Sequence, residues 1–97
     1  MKGYLLQKIE RPEDLKSINF DFLLKDYPFE DLKGVHALAG PDTDPNYPGE
    51  TEFEPVGRKK ITFLNVVHGR FFPEEVDAYV DAQGNLYITD EQLEAML

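Results

Sequence analysis

The chain predicts an α+β, strand-rich fold. The expected architecture is a mainly antiparallel sheet or small open barrel of five to seven short strands, with short helical turns and a capped C-terminal helix. Three observations predict it. Residues 60–72, KITFLNVVHGRFF, form the longest dense apolar run. Residues 76–89 alternate across a turn signal, Ala82-Gln83-Gly84. Thr89 and Gln92 have the spacing of a capping box.

The 97 residues make one small globular domain, residues 1–97. A chain of this size buries a core without staples, and 41% hydrophobic and 12% aromatic content suit a globular domain rather than a disordered one. With no cysteine, disulfides, thiolate metal sites and thiol catalysis are excluded. The first ten residues hold only two consecutive leucines, without a signal-peptide core. No stretch approaches transmembrane length. A cytoplasmic location is the expectation.

Taken in order, residues 4–9 read as a first strand. Pro12 with Glu13 and Asp14 opens a short helix, since proline suits the first turn and acids there complement the dipole. Ile18, Phe20, Phe22 and Leu24 then recur with period two, which predicts a strand over residues 18–24. The competing reading is a single helix over residues 12–26, which would leave Phe20 off its apolar face. Pro28, Glu30 and Asp31 repeat the helix-opening signal, and Gly34 is a natural stop. Glu13-Asp14-Leu15-Lys16 and Glu30-Asp31-Leu32-Lys33 are identical tetrapeptides. Two helical turns sharing start signals explain them better than a duplication, because four residues do not establish a repeat. Residues 35–39 read as a short strand, and residues 40–49, rich in proline and glycine, as a loop.

Residues 51–56 read as a short edge strand, with Gly57, Arg58 and Lys59 turning into the apolar run to make a hairpin. In that run Ile61, Phe63, Val67 and Phe71 point one way with Asn65, and Leu64, Val66 and Phe72 the other with Thr62 and His68. Both faces are apolar, so one central strand is expected, broken or bulged at Gly69 and ended by Pro73. In the following hairpin Gly84 suits the left-handed position of a three-residue loop flanked by Asp81 and Asn85. The register then sets Val80 opposite Leu86, Tyr79 opposite Tyr87, Ala78 opposite Ile88 and Asp77 opposite Thr89. Both tyrosines fall on one face, framed by Asp77 and Asp81. The final helix presents Leu93, Met96 and Leu97.

Net charge is −9. That argues against direct nucleic-acid or anionic-membrane binding. Residues 1–41 are nearly balanced, with six bases and seven acids. Residues 42–57 carry five acids and no base, and residues 71–97 carry seven acids and no base. Arg58, Lys59, Lys60 and Arg70 are the only bases between them, better placed for salt bridges than for nucleic acid.

No nucleotide-binding, zinc-protease or serine-hydrolase signature is present. Asp42, Thr43, Asp44 and Asn46 begin like a calcium loop, but Tyr47 and Phe53 stand where glycine and glutamate are required. His36 and His68, the only histidines, read as strand residues before they read as metal ligands or general bases. His68 and Arg70 around Gly69 are the candidate contact for an anion or ligand, against a bulge with Arg70 paired to an acid. No catalytic residue, metal site or cofactor is expected. The candidate partner-binding residues are Glu74, Glu75, Asp77, Tyr79, Asp81 and Tyr87, where aromatics supply contact area and acids steer a basic partner. The leading expectation is a small acidic protein-binding module or inhibitor, engaging a basic protein such as a nucleic-acid-handling enzyme. Phage anti-defence and immunity proteins share this size and charge. The alternatives are an accessory subunit that buries the hairpin face in a homo-oligomer, and a small enzyme or ligand-binding protein using His68 and Arg70.

Overall fold

The computed structural model describes residues 1–39 and 49–96. The elements run β1 (Lys2–Lys8), α1 (Pro12–Ser17), a 3-10 turn (Asp21–Lys25), α2 (Phe29–Leu32), β2 (His36–Leu38), β3 (Glu50–Glu52), β4 (Gly57–Val67), β5 (Arg70–Val80), β6 (Leu86–Ile88) and α3 (Asp90–Ala95). The strands order as β2-β4-β5-β6-β1-β3, and β2 also pairs with β1. That second pairing closes five strands into a barrel, with β3 added outside against β1. The β2–β4 contact is parallel and the other pairings are antiparallel.

The apolar run is a hairpin rather than one strand. β4 and β5 pair over 11 residues each, from Gly57 opposite Val80 to Val67 opposite Arg70. His68 and Gly69 form the two-residue turn, with φ of 52° and 75°. Positive φ at both central positions matches the right-handed twist of the flanking strands. The turn shifts the face parity. Phe71 joins Leu64 and Val66, while Phe72 lies opposite Asn65. Pro73 does not end the strand. It lies opposite Leu64, three residues beyond the hydrogen-bonded Val67–Arg70 pair that flanks the two-residue turn, so by the antiparallel alternation it falls in a non-hydrogen-bonded pair and its missing N–H faces away from β4.

Two cores result, one on each side of the hairpin. Leu6, Ile61, Phe63, Val76, Ala78 and Ile88 fill the barrel, with Leu86, Leu93 and Met96 packed against them. On the outer side, Ile9, Leu15, Leu23, Leu32, Val35, Ala37 and Leu64 pack with Val66 and Phe71. Leu15 and Leu32, the matching leucines of the two tetrapeptides, are both fully buried in this outer core.

Residues 18–24 form neither the expected strand nor the continuous helix. α1 stops because Asn19 takes φ of 62°. The Phe20 amide donates to the Leu15 carbonyl at 2.9 Å and the Asn19 amide to that of Lys16 at 3.1 Å. This is a left-handed helix stop with asparagine in the glycine position, and the Leu15 and Phe20 side chains share the outer core beside it. The chain then coils into the 3-10 turn, which buries Leu23 and leaves Phe22 and Leu24 exposed. The period-two pattern therefore does not mark a buried strand face.

β3 is shorter than expected and pairs with β1 instead of forming a hairpin with β4. β4 is occupied by β5 from Gly57 onward, and the free edge of β1 takes β3. Gly3 makes that approach close: a Cβ there would stand 2.8 Å from the Ile88 carbonyl oxygen and 2.9 Å from the Phe53 ring. The calcium-loop reading of residues 42–54 rests on residues 40–48, outside the described residues, as does Leu97. Among the described residues no group of three metal-ligating side chains forms, and no helix is long and apolar enough to cross a membrane.

Candidate acidic binding face

The hairpin of β5 and β6 has the expected turn and closing register. Tyr79 pairs with Tyr87 and Val80 with Leu86. Gly84 has φ of 86° and its amide donates to the Asp81 carbonyl at 3.0 Å. The ladder stops there, so the expected pairs of Ala78 with Ile88 and Asp77 with Thr89 do not form. β6 leaves β5 for β1, with Ile88 opposite Tyr4. Thr89 instead caps α3: its hydroxyl accepts from the Gln92 amide at 3.3 Å, and the Gln92 side chain accepts from the Thr89 amide at 2.9 Å.

The tyrosine face is covered by a residue that the sequence pattern does not place there. Phe53, after β3, stacks on Tyr87 with ring centroids 4.1 Å apart and planes 5° from parallel. It also leans on Tyr79 at 6.1 Å. Tyr87 is thereby buried, and so is Asp81. Burial alone would raise the Asp81 carboxyl, but the Asn85 amide, the Tyr87 hydroxyl, the Asn85 side chain and the Gln83 amide outweigh it and hold it below the ordinary aspartate value. Tyr87 is held above its ordinary value by burial and by that carboxylate. These two residues hold the face together from inside, a correction to their expected place on its surface.

What remains outside is Glu75, Asp77 and Tyr79, which alternate onto one face; Glu74 falls on the opposite, barrel face with Val76 and Ala78, across from Phe63, a correction to its expected place among them. Glu74 and Tyr79 are half-buried, while Glu75 and Asp77 are exposed. The Arg58 guanidinium lies 3.9 Å from the centroid of the Tyr79 ring and donates to the Asp77 carbonyl at 2.8 Å. The Gln92 side chain donates to the same carbonyl at 2.8 Å. Arg58 is thus engaged internally, stacked on an aromatic face where its attraction to the ring quadrupole adds to the hydrogen bond. Lys60 reaches Glu75 only at 3.9 Å, with both side chains well solvated, a weak pair.

α3 and β3 extend this surface. A cleft of about 580 Å³ is lined by Glu50, Asp90, Glu91, Tyr79 and Arg58 together with Lys2. A hydrogen bond to Asp90, then desolvation by the neighbouring groups of this exposed side chain, then the charges of Asp90 and Glu91, raise the Glu50 carboxyl above its ordinary value, against an opposing pull from Lys2. Glu50 and Asp90 come from strands of sequence 40 residues apart, so only the closure of β3 and β6 on either edge of β1 unites them. The signal available in the sequence was the clustering of acids, without its partners.

His68 and Arg70 sit at the exposed tip of the β4–β5 hairpin, on either side of Gly69. His68 is a turn residue, not a strand residue. The two therefore do not share a strand face as expected. Comparison with protein-family models, with curated proteins and with solved structures finds no match.

Proposed function

We propose that the protein is a small acidic binding module of the cytoplasm that engages, and thereby inhibits or masks, a basic protein surface. The observation that carries this reading is the Glu50–Asp90 pair in the cleft beside Tyr79. Two carboxyls that share a hydrogen bond beside a third acid, Glu91, oppose one another's ionisation. A guanidinium or ammonium group from a partner relieves that opposition. The nearby ring of Tyr79 supplies contact area, and the exposed carboxylates of Glu75 and Asp77 steer the approach. Basic proteins that handle nucleic acid fit this chemistry, since carboxylates imitate phosphates electrostatically.

The test is capture of partners from host lysate at low and high salt, followed by affinity measurement with Glu50→Gln, Asp90→Asn and Asp77→Asn variants. Affinity should fall with ionic strength and with each variant. A partner whose affinity ignores both would sink the proposal.

A second reading, self-association, is favoured by exposed apolar side chains near the hairpin tip. Phe72 is 45% exposed, Val67 38% and Leu38 37%. Sedimentation at high concentration decides it: a strict monomer removes this reading.

A further inference from the structure

His36 occupies the seam of the barrel. It is paired with Lys8 of β1 and with Phe63 of β4, so it belongs to both ladders that close the structure. Across from it and beside it on the same face lie Leu6 and Phe63, both in the barrel core. Only 8% of His36 is exposed, and its Nδ1 has no hydrogen-bond partner. The charges that bear on it most are both cations, Lys8 from β1 and Lys59 from β4, while the one carboxylate in its row on the barrel face, Glu74 of β5, stands a strand further off, beyond Phe63. The other β4 residues on this face at that level, Ile61 and Phe63, are apolar.

We propose that β2 is an acid-releasable stave of the barrel: protonation of His36 frees β2 from β1 and β4 and opens the seam. A proton on His36 creates a buried cation whose added N–H lacks an acceptor and which meets two ammonium groups. Each of these disfavours the closed form. Release returns the imidazole to water, where the charge is solvated. β2 is the natural element to leave. It is three residues long, and its bridge to β4 rests on the His36–Phe63 pair.

The direction of the linkage follows. Burial first, then Lys8 and Lys59, hold the closed-state His36 below the ordinary histidine value. The released state takes up its proton at about pH 6.5. Closure is therefore fully favoured above that pH and weakens as pH falls below it, levelling off only at the lower value of the closed state.

Amide exchange followed by NMR tests the proposal, with intrinsic exchange rates corrected for pH. Between pH 7.5 and 5.5, exchange at Ala37, Leu38 and their β1 partners should rise, by up to about tenfold, relative to Ile61 and Val76. The His36→Phe variant should lose that response. If this variant does not fold, the ring resonances of wild-type His36 decide instead, and they should titrate below the ordinary value. Titration at or above it overturns the proposal. So does an unchanged acid response in His36→Phe, or a barrel that opens as one unit.

Discussion

The Tyr87 hydroxyl donates to Asp81 Oδ2 at 3.0 Å, inside the hairpin that Asp81 itself terminates. The other carboxylate oxygen accepts from the Gln83 and Asn85 amides at 3.0 and 2.9 Å. One aspartate thus closes the turn and anchors the aromatic stack of Tyr87 and Phe53.

Removing that hydroxyl leaves a buried carboxylate short of a donor. Tyr87→Phe should cost about 1–2 kcal/mol in urea unfolding. The pH dependence has a definite sign. Asp81 is depressed in the folded state, so its contribution is present above the ordinary aspartate value of 3.8 and is lost as pH falls through the lower folded value. Asp81→Asn should destabilise at neutral pH and remove that part of the acid transition. An unaltered acid limb of the stability profile in this variant refutes the assignment.

Gly3 lies where β1 passes beneath Phe53 and against Ile88. A methyl group there meets a backbone carbonyl at 2.8 Å, which cannot swing aside as a side chain does. Gly3→Ala should therefore destabilise by about 1–3 kcal/mol, the range for overpacking. Thermal unfolding measures it, and a neutral outcome would show that β1 and β6 do not approach this closely.

Leu15 and Leu32 should behave as a coupled pair. Each is fully buried in the outer core, so each Leu→Ala change should cost about 2–5 kcal/mol. Because both border the same cluster, the double variant should depart from additivity, by about 0.5 kcal/mol or more. Strict additivity in a double-mutant cycle would show that the two tetrapeptides pack independently.

The tip of the β4–β5 hairpin offers a stabilising change. His68 holds φ of 52°, a region asparagine and glycine enter more readily. His68→Asn should stabilise by a few tenths of a kcal/mol, and Gly69→Ala should destabilise by about 1 kcal/mol. Destabilisation by His68→Asn, or stabilisation by Gly69→Ala, in chemical denaturation would contradict the turn geometry.

Local signals in the chain were readable where chemistry and pattern coincide within a few residues. The Asp81–Asn85 loop needs glycine at a left-handed position and has Gly84. The Thr89–Gln92 box satisfies its own orphan groups. Both are complete within their own segment. Residues 18–24 do not follow the strand pattern because an alternation of apolar residues is common to a strand and to a stop followed by a tight turn. Asn19 carried the signal, but one asparagine in a polar–apolar series has no distinctive pattern. The 60–72 run departs from the single-strand expectation for the same reason: two faces of a central strand and two arms of a hairpin give the same density of apolar residues. Only the pair His68-Gly69, read as a turn rather than a bulge, separates them.

For the acidic face, composition supplied the carboxylates, and the β5–β6 register supplied the shared side of Tyr79 and Tyr87. Which of them face solvent was decided by Phe53, carried in by β3. The sequence by itself determined the strand-rich class, the short helical turns, the turn and closing two pairs of the β5–β6 hairpin and the C-terminal cap, because each depends on backbone geometry within a dozen residues. Tertiary structure alone decided the closure of β2 onto β1, the burial of Asp81, Tyr87 and His36, and the meeting of Glu50 with Asp90. Those depend on which edges remain free after the local elements form, and pairing across such distances in the chain leaves no periodicity to read.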